Sequence, residues 1–227
     1  MKILGIDTSG YANAVGITDG GQILADAVFP ARMDSLEKIL ANIDSTLKDA
    51  GLGLEDIEGI GVGLGPGSWT GIRVGVTVGK ILAYSTGKPV AGIATLDALA
   101  FNAGHTKDAI YAIIDAGTRD TVYAARYQRQ KDSIHRVGDY YVGAIQELPD
   151  IIKESGVIIG AEAESYYAAM NRIIDASIKL KAIAANPRGA SVALLAAACL
   201  EKGKSDDPMT ITPLYLKEST AKALQQQ

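Results

Sequence analysis

Between Lys2 and Phe29 the chain alternates apolar and polar residues in three short runs, "KILGID", "ANAVGITD" and "QILADAVF", with Asp19-Gly20-Gly21 between the second and third. A period of two predicts half-buried strands, and an Asp-Gly-Gly stretch between two such runs predicts a hairpin. The period then changes. Leu36, Ile39, Leu40, Ile43, Leu47 and Ala50 fall along one helical face; Asp34 and Glu37 supply the two ends of a capping box, and Gly51 a stop. A helix is therefore predicted over 35–50. A strand at "IEGIGVGL" leads into a second helix beginning near Ser68, followed by a short strand at "KPVAGI" and a helix near "LDALAFNAG".

After about residue 104 the opening theme returns. "AIYAIIDAGTRDTVYAARYQ" repeats a strand ending in Asp, a short polar turn and an alternating strand, as "KILGIDTSGYANAVGIT" did, and "IHRVGDYYVGA" completes a second meander. Helices are predicted near 145–155, 163–175 and 188–202. Two copies of three strands followed by helices predict an α/β protein of two ribonuclease-H-like halves, 1–103 and 104–227, with mixed sheets and a cleft between them.

The helix after the fourth strand carries an oddity. Gly67, Gly71, Gly75 and Gly79 recur every fourth residue among Ile72, Val76, Leu82 and Tyr84. Each interior glycine costs a helix about 1 kcal/mol relative to alanine. A step of four residues drifts only about 40° around a helix, so the glycines form one stripe without side chains. Such a stripe predicts another helix or strand lying close against it, where a methyl group would overpack the contact. That neighbour belongs either to the same chain or to a partner.

Composition narrows the classes of function. The chain has 227 residues, 48% hydrophobic and 21% charged, with a net charge of −4 and a pI of about 5.2. This is a globular composition whose acidity disfavours tight direct binding of nucleic acid. The apolar run at the N-terminus is too short for a secretory signal, and "SVALLAAACL" is about half a membrane span, so a cytoplasmic protein without a membrane segment is expected. The single Cys199 lies on that apolar helix and reads as a structural thiol.

The motifs that would carry chemistry are absent or incomplete. "GVGLGPGS" fails the dinucleotide pattern in every register, and Val74 and Ile81 stand where a Walker A loop needs Gly and Ser or Thr. Gly65-Pro66-Gly67-Ser68 reads as a strand-to-helix turn capped by Ser68; alternatively, Gly67 and Ser68 also present helix N–H groups to an anion. His105 and His135 have no metal-ligand spacing, and Gly67-Ser68-Trp69 is no nucleophile elbow. No metal, cofactor or catalytic residue is predicted. Asp7 and Asp115 end equivalent strands, either facing one another across the cleft as acid and base or each closing its own turn.

"LGPGSWTGIRVGVTVGKILA" resembles the signature of the bacterial TsaB (YeaZ) family, G-P-G-S-[FW]-T-G-[LI]-R, and "MKILGIDTSGYANAVGI", "LKDAGLGLEDIEGIGVG", "AIIDAGTRDTVYAARY" and "PLYLKES" match its other landmarks in order. The resemblance implies an actin-like/Hsp70-like (ASKHA) fold and a catalytically silent subunit that pairs with TsaD, the enzyme that threonylcarbamoylates tRNA adenosine, with the ATPase TsaE joining them. It implies tRNA contact mainly through those partners, and a homodimer when TsaD is absent. The implied partner interface is a two-helix face comprising Leu36, Ile39, Leu40, Ile43, Leu47, Gly71, Gly75 and Gly79. Arg73, a charge inside an otherwise apolar helix, is either a contact there for an anion or nucleotide or a snorkelling or salt-bridged structural arginine. Ser35 aligns where relatives often keep a histidine, a departure that leaves no metal ligand there. The alternative is an enzyme of the same superfold, an ATP-dependent small-molecule kinase or a glycoprotease-like hydrolase. "DTSGYA" and "DAGTRD" are poor phosphate turns for it, with one glycine each.

Overall fold

The structure, a computed structural model, describes residues 1–10, 12–30, 38–118, 120–130 and 133–216. Strands β1 (Lys2–Asp7), β2 (Ala12–Asp19) and β3 (Gln22–Pro30) form the expected meander, and the β2–β3 turn closes through Gly20 and Gly21, both at positive φ. Helix α1 (Ile39–Asp49) crosses to β4 (Gly59–Gly63), α2 (Trp69–Thr86) to β5 (Val90–Ile93), and α3 (Thr95–Phe101) leads out of the first sheet. Its strand order is β3-β2-β1-β4-β5, with β1 antiparallel to β2 and parallel to β4. The capping box at Asp34 and Glu37, and with it Ser35 and Leu36, lies outside the described residues.

The second sheet repeats this plan. β6 (Ala109–Asp115), β7 (Thr121–Gln130) and β8 (Ser133–Ala144) form an antiparallel meander. β9 (Gly156–Gly160) and β10 (Leu180–Ala184) complete the order β10-β9-β6-β7-β8, the topology of the first sheet over again. Neither β9 nor β10 is expected from the hydrophobic pattern. "GVIIG" is a five-residue apolar run whose periodicity does not separate strand from helix, and its place is set by parallel pairing with β6. The helix expected near 145–155 is a 3₁₀ turn, Ile145–Asp150, with Pro149 inside it. Helices α4 (Ala163–Met170) and α5 (Gly189–Leu200) fall within their predicted windows.

Alternation along β1 sends its side chains to opposite faces. Leu4 and Ile6 join Ile39, Ile43 and Leu47 of α1 and Val74, Val78 and Leu82 of α2 in one cluster. Ile3 turns the other way, to Val192, Ala193 and Ala196 of α5. Close approach of α5 depends on missing side chains: a β-carbon on Gly16 or Gly189 would collide with the opposing backbone. α3 packs Leu96, Leu99 and Ala100 on the second sheet, whose far face is covered by α4 and the 3₁₀ turn. No helix among the described residues is long and apolar enough to cross a membrane.

Candidate functional site

The glycine-striped helix starts where β1 ends. Gly65 has φ +92° and Gly67 φ +152°, so the "GPG" turn uses conformations that L side chains rarely adopt. Ser68 then caps α2, its hydroxyl accepting from Gly71 N–H at 3.3 Å. Its own N–H donates to the Ser9 carbonyl at 2.7 Å. Thr8 reaches along the helix, and its hydroxyl donates to the Gly71 carbonyl at 2.6 Å.

The stripe's close neighbour is the chain itself. A β-carbon on Gly67 or Gly71 would collide with the carbonyl of Ser9 or Thr8, one on Gly75 with the Thr8 hydroxyl, and one on Gly79 would stand 3.1 Å from Val62. Gly71, Gly75 and Gly79 are buried together with Ile72, Val76 and Ala83. The opposite face of α2 is open, with Thr70, Arg73, Thr77, Ile81 and Tyr84 all exposed. Ile81 is 60% and Tyr84 70% exposed. A groove of about 370 Å³ runs along this side, lined by Thr70, Arg73, Val74, Thr77 and Val78.

The residues named from the sequence thus divide. Ile39, Ile43 and Leu47 are buried between α1 and the first sheet, whereas Leu40 is 59% exposed. Arg73 is exposed and holds its guanidinium 5.3 Å from the centre of the Trp69 ring. Ser68 is exposed and Gly67 half-buried, both committed to bonds or close contacts with their own chain. Unforeseen in the sequence is the partner of Trp69: Tyr215, more than a hundred residues on, stacks against it with ring centroids 4.4 Å apart.

Asp7 and Asp115 each close the turn that follows them. Asp7 accepts from Ser9 N–H at 2.8 Å and Ser9 hydroxyl at 2.5 Å, and Asp115 accepts from Gly117 N–H at 2.9 Å. Asp7 is 1% exposed and is also bound by the Thr95 hydroxyl at 3.0 Å, with its carboxylate in the space left by Gly63. Burial pushes its carboxyl above the ordinary value, against the hydrogen bonds from Ser9 and Thr95. A second, half-buried carboxylate, Asp97, accepts from Tyr127 at 2.6 Å and Tyr140 at 3.3 Å, and desolvation raises it likewise. Among the described residues no group of three or more His, Cys, Asp or Glu is placed to hold a metal. Cys199 is half-buried in the last turn of α5.

Comparison with known proteins places this geometry. The model of the TsaD family, tRNA N6-adenosine threonylcarbamoyltransferase, matches residues 30–224. The tRNA threonylcarbamoyladenosine biosynthesis protein TsaB of Bacillus subtilis is 27% identical over 98% of this chain and 97% of its own. YeaZ from Pseudomonas aeruginosa superposes with a TM-score of 0.80 at 24% identity, over 95% of this chain and 99% of that one. The ROK hexokinase of Thermus thermophilus does so with a TM-score of 0.55 at 16% identity, over 88% and 100%. These two structures show the fold, the actin-like arrangement of two halves. With that fold, a family match over most of its length and the G-P-G-S-W-T-G-I-R turn built as described, the chain belongs to the TsaB (YeaZ) family.

Proposed function

We propose that the protein acts in tRNA threonylcarbamoyladenosine biosynthesis as a catalytically silent scaffold that binds the transferase TsaD through the outer faces of α1 and α2. The observation that carries this reading is the two-sidedness of α2. Its glycine face is committed to its own sheet, while the opposite face leaves Ile81 and Tyr84 in water with Leu40 of α1. Apolar side chains left outside the core on helices at the edge of a domain are what an interface requires. Gly71, Gly75 and Gly79 contribute to it indirectly, by letting α2 lie flat on the sheet. In the absence of TsaD the same face joins two copies across a two-fold axis.

Silence in catalysis is supported by the turn after β1. The groups that a nucleotide-handling relative would offer to phosphate are engaged within the chain, Ser9 N–H by Asp7 and the Ser68 N–H by Ser9. The acidic net charge of −4 supports tRNA contact made mainly by TsaD and TsaE. The protein then works in the cytoplasm, where its substrate complex is.

Reconstitution tests the proposal. TsaD, TsaE and threonylcarbamoyl-AMP synthase from the same organism are expected to modify tRNA only when this chain is added, and Ile81→Asp is expected not to replace it. Full modification without the chain would remove the scaffold reading.

A further inference from the structure

Beyond α5 the chain returns to the first half and runs back along α2. Asp206 N–H donates to the Val90 carbonyl at 2.8 Å, and its carboxylate accepts from Gly92 N–H at 2.8 Å, so the segment first pairs with the outer edge of β5. Lys80 then donates to the carbonyls of Met209 and Ile211, both at 3.2 Å. Ile211 is 7% exposed and packs in one cluster with Ile72, Val76 and Ala83 of α2. Leu214 N–H donates to the Leu64 carbonyl at 2.8 Å. Finally Tyr215 stacks on Trp69 with 29° between the ring planes, at the opposite end of the helix from Asp206.

Helix packing is normally held in register by side-chain ridges in grooves. Three of the six fully buried positions of α2, Gly71, Gly75 and Gly79, offer no such ridge. Ile72, Val76 and Ala83 pack the helix on β4 and β5, and Val74, Val78 and Leu82 pack it against α1 and β1, but the glycine row between them adds nothing that sets its register along the sheet. Two further fixed points are the Thr8 bond to Gly71 at one end and the strap along one flank.

We infer that residues 206–216 are a positioning strap for the outer face of α2, and that the Trp69–Tyr215 stack fixes the first turn of the helix so that Arg73 and the groove beside it face outward. Tyr215 and Lys80 are positioning residues: they act on the partner through α2. The inference rests on the reading of that face as the surface that meets TsaD. It names the segment that holds the surface in place and makes the far C-terminal part of the chain a control on partner binding.

Trp69 is the chain's only tryptophan, so tryptophan emission, excited selectively over the tyrosines, reports on the surroundings of this one ring. Tyr215→Ala is expected to shift Trp69 emission to longer wavelength and to weaken binding of purified TsaD by up to about tenfold, the scale of one aromatic pair. Tyr215→Phe, which keeps the ring, is expected to restore both. Lys80→Gln covers the case in which Tyr215→Ala does not fold, and it too is expected to weaken TsaD binding in a folded chain. Full TsaD affinity in a folded Tyr215→Ala chain, or in Lys80→Gln, overturns the strap. Ile81→Asp separates the two readings: if it binds TsaD normally, the interface reading fails and the strap's role falls with it. If it does not bind while Tyr215→Ala does, the strap alone fails.

Discussion

Thr8 and Gly71 are locked together from both sides: the Thr8 hydroxyl donates to the Gly71 carbonyl at 2.6 Å, and the Thr8 carbonyl occupies the place where a side chain on residue 71 would begin. The pair joins the end of β1 to the first turn of α2, so the helix carrying the proposed partner surface is referenced to the central strand of its sheet.

Alanine at these positions sets helix propensity against packing. Gly71→Ala gains about 1 kcal/mol of propensity but must displace a backbone carbonyl, and overpacking of this kind costs about 1–3 kcal/mol or more. Urea unfolding is expected to rank Gly71→Ala and Gly75→Ala as destabilised, with Gly79→Ala mildest because its nearest neighbour is the Val62 side chain at 3.1 Å. Gly75→Leu is expected to unfold the chain rather than to yield a folded monomer. A Gly71→Ala chain more stable than wild type would contradict the close approach.

Asp7 links stability to pH. Burial holds its carboxyl above the ordinary 3.8 in the folded chain. The folded state therefore keeps a proton that the unfolded state has shed, and stability from this group falls as pH rises from 3.8 through the raised folded value. Asp97 adds in the same direction. Asp7→Asn can still accept from Ser9, and its advantage over wild type is expected to grow between about pH 4 and about pH 7, read as the difference in urea midpoint. A difference that stays flat or shrinks would show that Asp7 is ionised in the fold without penalty.

Asp26 holds α5 to β3. Its side chain, 4% exposed, accepts from Ala190 N–H at 3.0 Å in the first turn of α5 and from Arg188 Nε at 2.5 Å. Asp26→Ala removes the acceptor at the start of α5 and leaves the part-buried Ala190 N–H unpaired, an expected loss of about 1–3 kcal/mol. Asp26→Asn, which can keep the cap, is expected to recover part of it in thermal denaturation. Equal loss in both variants would place the stability in the charge rather than the cap.

The sequence alone carried the features whose cause is local. Alternation marked both meanders, the Asp19-Gly20-Gly21 turn marked the hairpin, and Ser68 marked the start of α2. Each depends on the conformational preference of a few neighbouring residues, so a short window suffices. The recurrence of glycine at every fourth position was equally legible, but not what it faces, because a missing side chain says that something comes close without saying what. Only the folded chain shows that Thr8, Ser9 and Val62 come close, and that the face opposite is the open one. Strands β9 and β10 exist because parallel neighbours supply their hydrogen bonds. In the same way α5, late in the sequence, packs on the first sheet, α3 packs on the second, and Tyr215 finds Trp69. These are contacts between residues far apart in the chain, fixed by which surfaces fit once both sheets have formed, and no periodicity within either segment encodes them.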